Sequence, residues 1–281
     1  MSKNPHKIIP ELVLNWELAG RMLTEFIRRE VSRAGFNKVT LGLSGGIDSA
    51  LSADLAVKAL GKANVIALQM PYKSSNPESA LHAEQMSDFL GIKLTTVEIT
   101  GAVDELISER GVQDAIRQGN VMARIRMTAL YDVAAEQGAL VLGTGNKTEI
   151  MLGYSTLFGD AACSLNAIGD LYKTQVWAMS AAFDLPEAII AKVPSADLWA
   201  GQTDEGELGI SYEDADAILY HIIDRRFSIA ETVKMGFEEK LVQMMSERVR
   251  KYHFKRVMPI VAKVSPRTVG SDFLYARDWG S

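Results

Sequence analysis

Cysteine is almost missing: Cys163 is the one thiol among 281 residues. That excludes an intrachain disulfide and any metal site built from several thiolates, and it suits a reducing compartment. Histidine is scarce as well. His6, His82, His221 and His253 are scattered along the chain, and no pair has metal-ligand spacing. Basic charge is not in excess, with 30 Lys and Arg against 35 Asp and Glu, a net charge of -5. A nucleic-acid-binding face needs the opposite balance, which disfavours RNA and DNA partners. No apolar run is long enough to cross a membrane. The opening stretch "MSKNPHKIIPELVLNW" lacks the apolar core and cleavage site of a signal peptide. These absences together lead to the expectation of a cytoplasmic protein.

What is present is an ordinary globular composition, 47% hydrophobic and 23% charged. Leu12, Trp16, Ala19, Leu23 and Phe26 mark one stripe of a long first helix that closes near Gly35. Apolar runs then alternate with helical patterns. "KVTLGL", "NVIALQM", "KLTTVEI" and "ALVLG" read as strands. Helices are expected from Asp48, from Pro77 behind an Asn76 N-cap, and from about Asn120 to Glu136. This alternation predicts a parallel sheet with helices on both faces. The last third is helical and polar, with an irregular tail. Ligands of such sheets sit at the carboxyl ends of the strands where strand order reverses. The first and fourth strands, ending at Ser44 and Gly143, are the expected point.

The turn "LGLSGGIDSA" joins the first strand to the next helix. It is not a P-loop, because no Gly-Lys-Ser/Thr follows the glycines, nor is it the Gly-x-Gly-x-x-Gly dinucleotide fingerprint. A tight glycine turn into a helix aims backbone N–H groups at one spot and makes an anion site. Asp48 would repel phosphate unless a cation lay between them, so it reads as a magnesium ligand. The plainer alternative is a glycine turn with Asp48 favourably placed on the helix dipole.

The motif resembles the pyrophosphate-binding loop of the ATP pyrophosphatases, enzymes that cleave ATP to AMP and pyrophosphate. "GNVMARIRM", "LVLGTGNKTE", "LGYSTLFGD", "GDLYKTQVW", "KVPSADLW", "TDEGELGISYEDAD" and "FKR" resemble the NAD synthetases, in that family's order. The resemblance runs from about Trp16 to the C-terminus. It implies a three-layer α/β/α fold of the adenine nucleotide alpha hydrolase-like kind, with a five-stranded parallel sheet and a helical C-terminal part. It also implies one NAD synthetase domain over 1–281. Glutamine-using members carry an N-terminal glutaminase domain, but only about forty residues precede this loop, too few for a domain of that kind. Free ammonia is the expected nitrogen donor, and a separate glutaminase subunit is the alternative.

The implied reaction is an ammonia-dependent ligation. ATP adenylylates the nicotinate carboxylate of deamido-NAD, and ammonia displaces AMP. Gly42, Leu43, Ser44, Gly45, Gly46, Ile47, Asp48 and Ser49 would hold ATP with Thr144, Lys173 and Ser195. Asp48 and Glu149 would bind magnesium, and Asp48 and Lys173 would act in catalysis. Lys173 opens a helix against the dipole, a local misfit that favours a functional role. Arg124, Asp160, Phe254 and Lys255 would contact deamido-NAD. Arg124 and Arg126 lie two apart on a helix and cannot share a face, so one can enter the site while the other makes a surface pair. Many family members have a lysine where this chain has Leu157 and an aspartate where it has Ser164. The tail residues Arg267 or Arg277 are candidates for the missing cation.

The stretches "VPSADLWAGQTDEGELG" and "MPYKSSNPES" read as loops over the site. Cys163 reads as a small buried apolar residue. The family is homodimeric, with the dinucleotide at the subunit interface, so a homodimer is expected. Two rivals stay open from sequence: another ATP-pyrophosphatase, such as a tRNA-modifying enzyme, and a nucleotide-binding module without catalysis.

Overall fold

A computed structural model describes residues 6–199, 201–257, 259–270 and 272. The first helix, α1 (Trp16–Arg33), starts at an Asn15 cap whose side chain accepts from the Leu18 N–H. Leu12 sits outside it in a 3₁₀ turn. Trp16, Ala19, Leu23, Ile27 and Val31 form the stripe against the core. Phe26 lies off that stripe, 37% exposed with Leu18 and Met22. A 3.6-residue period carries position 27 inward and turns position 26 outward.

The chain then runs β1 (Val39–Gly42), α2 (Ile47–Leu60), β2 (Val65–Gln69), α3 (Pro77–Leu90) and β3 (Leu94–Thr96). It continues through α4 (Thr100–Arg110), α5 (Ala115–Gln137), β4 (Leu140–Gly143), α6 (Lys147–Leu152) and β5 (Leu165–Asn166). The polar segment before α5 is thus a helix, α4, and α5 begins five residues ahead of Asn120 behind an Asp114 cap. The fifth strand pairs through only two residues, Leu142 with Leu165 and Gly143 with Asn166. A two-residue strand is too short to show a period in sequence.

All five strands are parallel, in the order β3-β2-β1-β4-β5. The chain moves outward from β1 to β3, then crosses back to β4 on the other side of β1. The switch point therefore lies between β1 and β4, as expected. α1 and α2 pack together on one face with α3, while α4 packs on α5 and α5 packs on β1 and β4. This is the three-layer α/β/α arrangement. Thr40, Leu41, Ala67 and Leu68 at the centre of the sheet are fully buried, the pattern of a parallel sheet covered on both faces.

The remaining helices are α7 (Lys173–Ala182), α8 (Glu187–Ile190), α9 (Asp204–Leu208), α10 (Tyr212–Leu219), α11 (Ile229–Lys234) and α12 (Glu239–Lys251). α7 joins the α1–α2 layer, where Trp177 is fully buried. One buried carboxylate ties α10 to this scaffold. Asp216 accepts from the Thr148 hydroxyl at the start of α6 and, at 2.7 Å, from the Thr174 N–H at the start of α7. Thr148 in turn accepts from the Lys173 N–H at 3.0 Å. Burial pushes the Asp216 pKa up to about 7 despite these donors. The folded protein therefore holds this proton more tightly than the unfolded chain between pH 4 and 7. Stability attached to the group is present at low pH and declines as pH rises through that window, by at most about 1.4 kcal/mol per pH unit. Asp216→Asn should remove the decline. Urea unfolding at pH 5 and pH 8 checks it: the wild type should lose stability relative to the variant on going to pH 8.

Candidate functional site

The switch point opens into a cavity of about 950 Å³, large enough for a nucleotide. Its floor is the turn from β1 into α2. Gly46 caps α2 in an extended conformation, and Gly45 sits at φ +72. A Cβ on Gly45 would lie 2.2 Å from the Ser79 carbonyl oxygen of α3. Glycine is thus required twice over, by backbone angle and by the close approach of α3. Ser49 donates to the Gly46 carbonyl at 3.0 Å and accepts from the Ser44 N–H at 3.2 Å, which folds the turn onto the helix start.

Asp48 projects from the first turn of α2. It accepts from the Asn146 side chain at 2.8 Å and pairs with the Lys173 ammonium. Lys173 is the first residue of α7 and is 2% exposed, and its ammonium also lies 3.9 Å from Glu149. Asn146 and Glu149 cap α6 reciprocally, through Asn146 N–H to Glu149 at 3.2 Å and Glu149 N–H to Asn146 at 3.0 Å. Burial, reinforced by the Asp48 charge, drives the Glu149 pKa well upward. Burial alone would lower the Lys173 pKa, but Asp48, Glu149 and Asp204 raise it, so the ammonium stays charged.

Two carboxylates and a phosphate loop fit magnesium, which takes one or two carboxylates and fills the rest of its shell from phosphate and water. Burial first and the Asp48 charge second disfavour ionised Glu149, and a divalent cation between the two carboxylates would offset both. Among the described residues no cluster of three acidic, His or Cys side chains could hold a metal by itself. The pair therefore fits a metal shared with a ligand's phosphates.

The structure brings most of the expected residues to this cavity. Its lining includes Gly42, Leu43, Ser44, Gly46, Ile47, Asp48, Ser49, Thr144, Glu149, Asp160, Lys173, Ser195 and Lys255. Ser195 also accepts from the Asp197 N–H at 3.1 Å. Lys255 donates to the Gly153 and Ser155 carbonyls, and Asp160 accepts from the Thr156 N–H at 2.8 Å. Gly45, Arg124 and Phe254 do not line the cavity. Arg124 is exposed and donates to the Leu157 carbonyl, and Phe254 is 55% exposed. Of Arg124 and Arg126 it is Arg126 that enters, with Nε donating to the Met70 carbonyl at 3.0 Å. Arg267 is not part of the lining, and Arg277 falls outside the described residues. Ser164 accepts from the Val141 N–H at the sheet edge. Cys163 is half-buried under Gly143, where a Cβ would meet its sulfur at 2.7 Å.

Both expected loops line the cavity, from Met70 to Ala80 and from Val193 to Trp199. Asp197, in the left-handed region at φ +51, accepts from the Asn76 N–H at 3.0 Å and links one loop to the other. The second loop ends in α9, where Asp204 accepts from the Tyr212 hydroxyl at 3.0 Å and the Tyr154 hydroxyl at 3.1 Å. The sequence reading missed Asn146, Asp204, Asp216 and Lys192. For Asn146 a signal existed, since "NKTE" is an N-cap followed three residues later by Glu.

Residues 20–259 match the sequence profile of the NAD synthase family. The chain belongs to that family. It is 51% identical over 269 residues to the NH(3)-dependent NAD(+) synthetase of Trichlorobacter lovleyi, covering 96% of this chain and 98% of the relative. Among solved structures it is similar to an NH3-dependent NAD synthetase from Campylobacter jejuni, in complex with the nitrate ion. The TM-score is 0.77 at 33% identity, covering 89% of this chain and all of the other. It is also similar to an NMN synthetase from Francisella tularensis, with TM-score 0.79 and 29% identity, covering 89% of this chain and 99% of the other.

Gly45→Ala tests the turn. The clash and the left-handed backbone should lower stability by about 1–3 kcal/mol and abolish magnesium-ATP binding, measured by thermal unfolding and by calorimetric titration.

Proposed function

We propose that this chain is an ammonia-dependent NAD synthetase: ATP, deamido-NAD and ammonia give AMP, pyrophosphate and NAD. The observation that carries the reading is the convergence of Asp48, Glu149 and Lys173 on a glycine turn at the switch point, in a chain about half identical to relatives of that name.

The chemistry follows from the geometry. The turn and the start of α2 cradle the triphosphate with their N–H groups. A nicotinate carboxylate oxygen attacks the α-phosphorus, and the bond to the pyrophosphate oxygen breaks. Lys173, fixed by Asp48, faces the charge that builds on the leaving group, and a preset ammonium in a water-poor pocket is worth far more than in bulk water. Magnesium held by Asp48 and Glu149 would neutralise phosphate charge and orient its oxygens. Ammonia then attacks the acyl carbon, loses a proton, and AMP leaves with the electron pair of the broken acyl–oxygen bond. Ammonia is itself the nucleophile, so no protein nucleophile is required. The loops that carry Asn76 and Asp197 would shield the adenylate from hydrolysis.

The domain reading remains one NAD synthetase unit using free ammonia. A homodimer would give Arg124 and Phe254 their role: both are exposed and adjoin in the chain residues that line the cavity, Ala123 and Lys255, where a second subunit would complete the dinucleotide pocket. Sedimentation of the purified protein should give the mass of two chains, and a monomer at micromolar concentration would sink that assignment.

A second substrate is worth measuring because of the Francisella tularensis relative: the deamido mononucleotide. With ATP, magnesium and ammonium, equal amounts of NAD and AMP should appear from deamido-NAD, with kcat/KM above that for the mononucleotide. The reverse order would assign the mononucleotide instead, and no AMP at all would overturn the enzyme reading. Lys173→Met should lower kcat about 10²–10³-fold.

A further inference from the structure

The cations that line the cavity differ in what holds them. Lys173 is matched by Asp48 and Glu149. Lys192 has no carboxylate within 4.0 Å among the described residues. Its ammonium donates to the Ser79 hydroxyl at 3.0 Å and approaches the Gly45 carbonyl at 3.4 Å, so both partners are neutral. The side chain is half-buried, and burial lowers its pKa, opposed only at longer range by Asp197 and Glu78.

The position is as informative as the partners. Gly45 is the tightest point of the glycine turn, and Ser79 lies in the first turn of α3. Lys192 enters between them from the segment that follows α8 and leads into the second loop. Lys173 reaches the same turn at Asp48. The two ammonium groups therefore meet the turn at different residues, one at its apex and one at the helix start. A partly buried ammonium held by neutral acceptors is under-compensated. Its three donors gain by exchanging a carbonyl and a hydroxyl for phosphate oxygens, because charge-assisted bonds are the stronger ones.

We propose that Lys192 is a second pyrophosphate-binding cation, which turns from Gly45 and Ser79 to the β- and γ-phosphate oxygens of ATP and remains on the pyrophosphate as it departs. The inference rests on the ATP-cleaving reaction assigned above. It also gives the second loop a direct sense of phosphate occupancy, because Val193 to Asp197 follow Lys192 in the chain. Arg126 stands at another part of the lining, where its Nε donates to the Met70 carbonyl just past β2.

The test is calorimetric titration of the protein with inorganic pyrophosphate and magnesium, for wild type, Lys192→Met and Lys192→Arg, together with steady-state kinetics. Lys192→Met should weaken pyrophosphate at least about tenfold, the loss of one charge-assisted contact. The KM for ATP should rise by a similar factor while the KM for deamido-NAD stays within twofold. Lys192→Arg should recover most of the affinity. If Lys192→Met does not fold, Lys192→Gln replaces it, keeping a donor toward Ser79 without the charge. Pyrophosphate affinity within twofold of wild type in the uncharged variant overturns the inference, as does an equal loss in Lys192→Arg. A wild-type protein that binds pyrophosphate but makes no AMP overturns the reaction instead, and the titration still decides Lys192.

Discussion

The pairing of the Lys173 ammonium with Asp48 is the constraint around which the site is assembled. An ammonium that is almost fully buried is tolerated only where opposite charge and hydrogen bonds replace water. Here Asp48 comes from α2, Glu149 from α6 and Lys173 from α7, so the ion cluster joins three helices at the ends of β1 and β4. The Asn146 side chain steadies Asp48 from the same turn that presents Glu149. Asp216 then holds the starts of α6 and α7 at a fixed distance through Thr148 and Thr174. Charge at the centre and a buried carboxylate behind it leave the functional groups little freedom to shift.

The cavity wall mixes both signs of charge. Asp48, Glu149 and Asp204 stand around one ammonium, and Asp160, Asp197 and Glu207 also line the wall. Arg126, Lys192, Arg248 and Lys255 are distributed over the remaining lining. The apolar share of the lining comes from residues such as Leu68, Met70, Met127 and Leu130, which offer a base or ring a dry surface.

Features set by neighbouring residues were legible in the sequence. The glycine turn, the Asn76–Pro77 helix start, the opening of α7 at Lys173 and the reversal between β1 and β4 all follow from local spacing and strand order. The first helix shows the limit of that logic: its stripe was readable, but Phe26 was assigned one position away from the buried Ile27. Features that depend on distant pairing were not legible. Nothing near Asp216 announces partners 68 and 42 residues away, and the choice of Arg126 over Arg124 depends on how α5 lies against the sheet. Lys192 likewise acquires meaning only once Gly45 and Ser79 are beside it.

The bond from the Asn76 N–H to Asp197 has a consequence for traffic through the cavity. The amide just ahead of α3 is satisfied by a side chain from the opposite loop at an exposed position. Separating the loops exchanges that bond for water, at a net cost of about 0.5–1.5 kcal/mol. The contact is therefore a light latch across the mouth of the cavity rather than a lock.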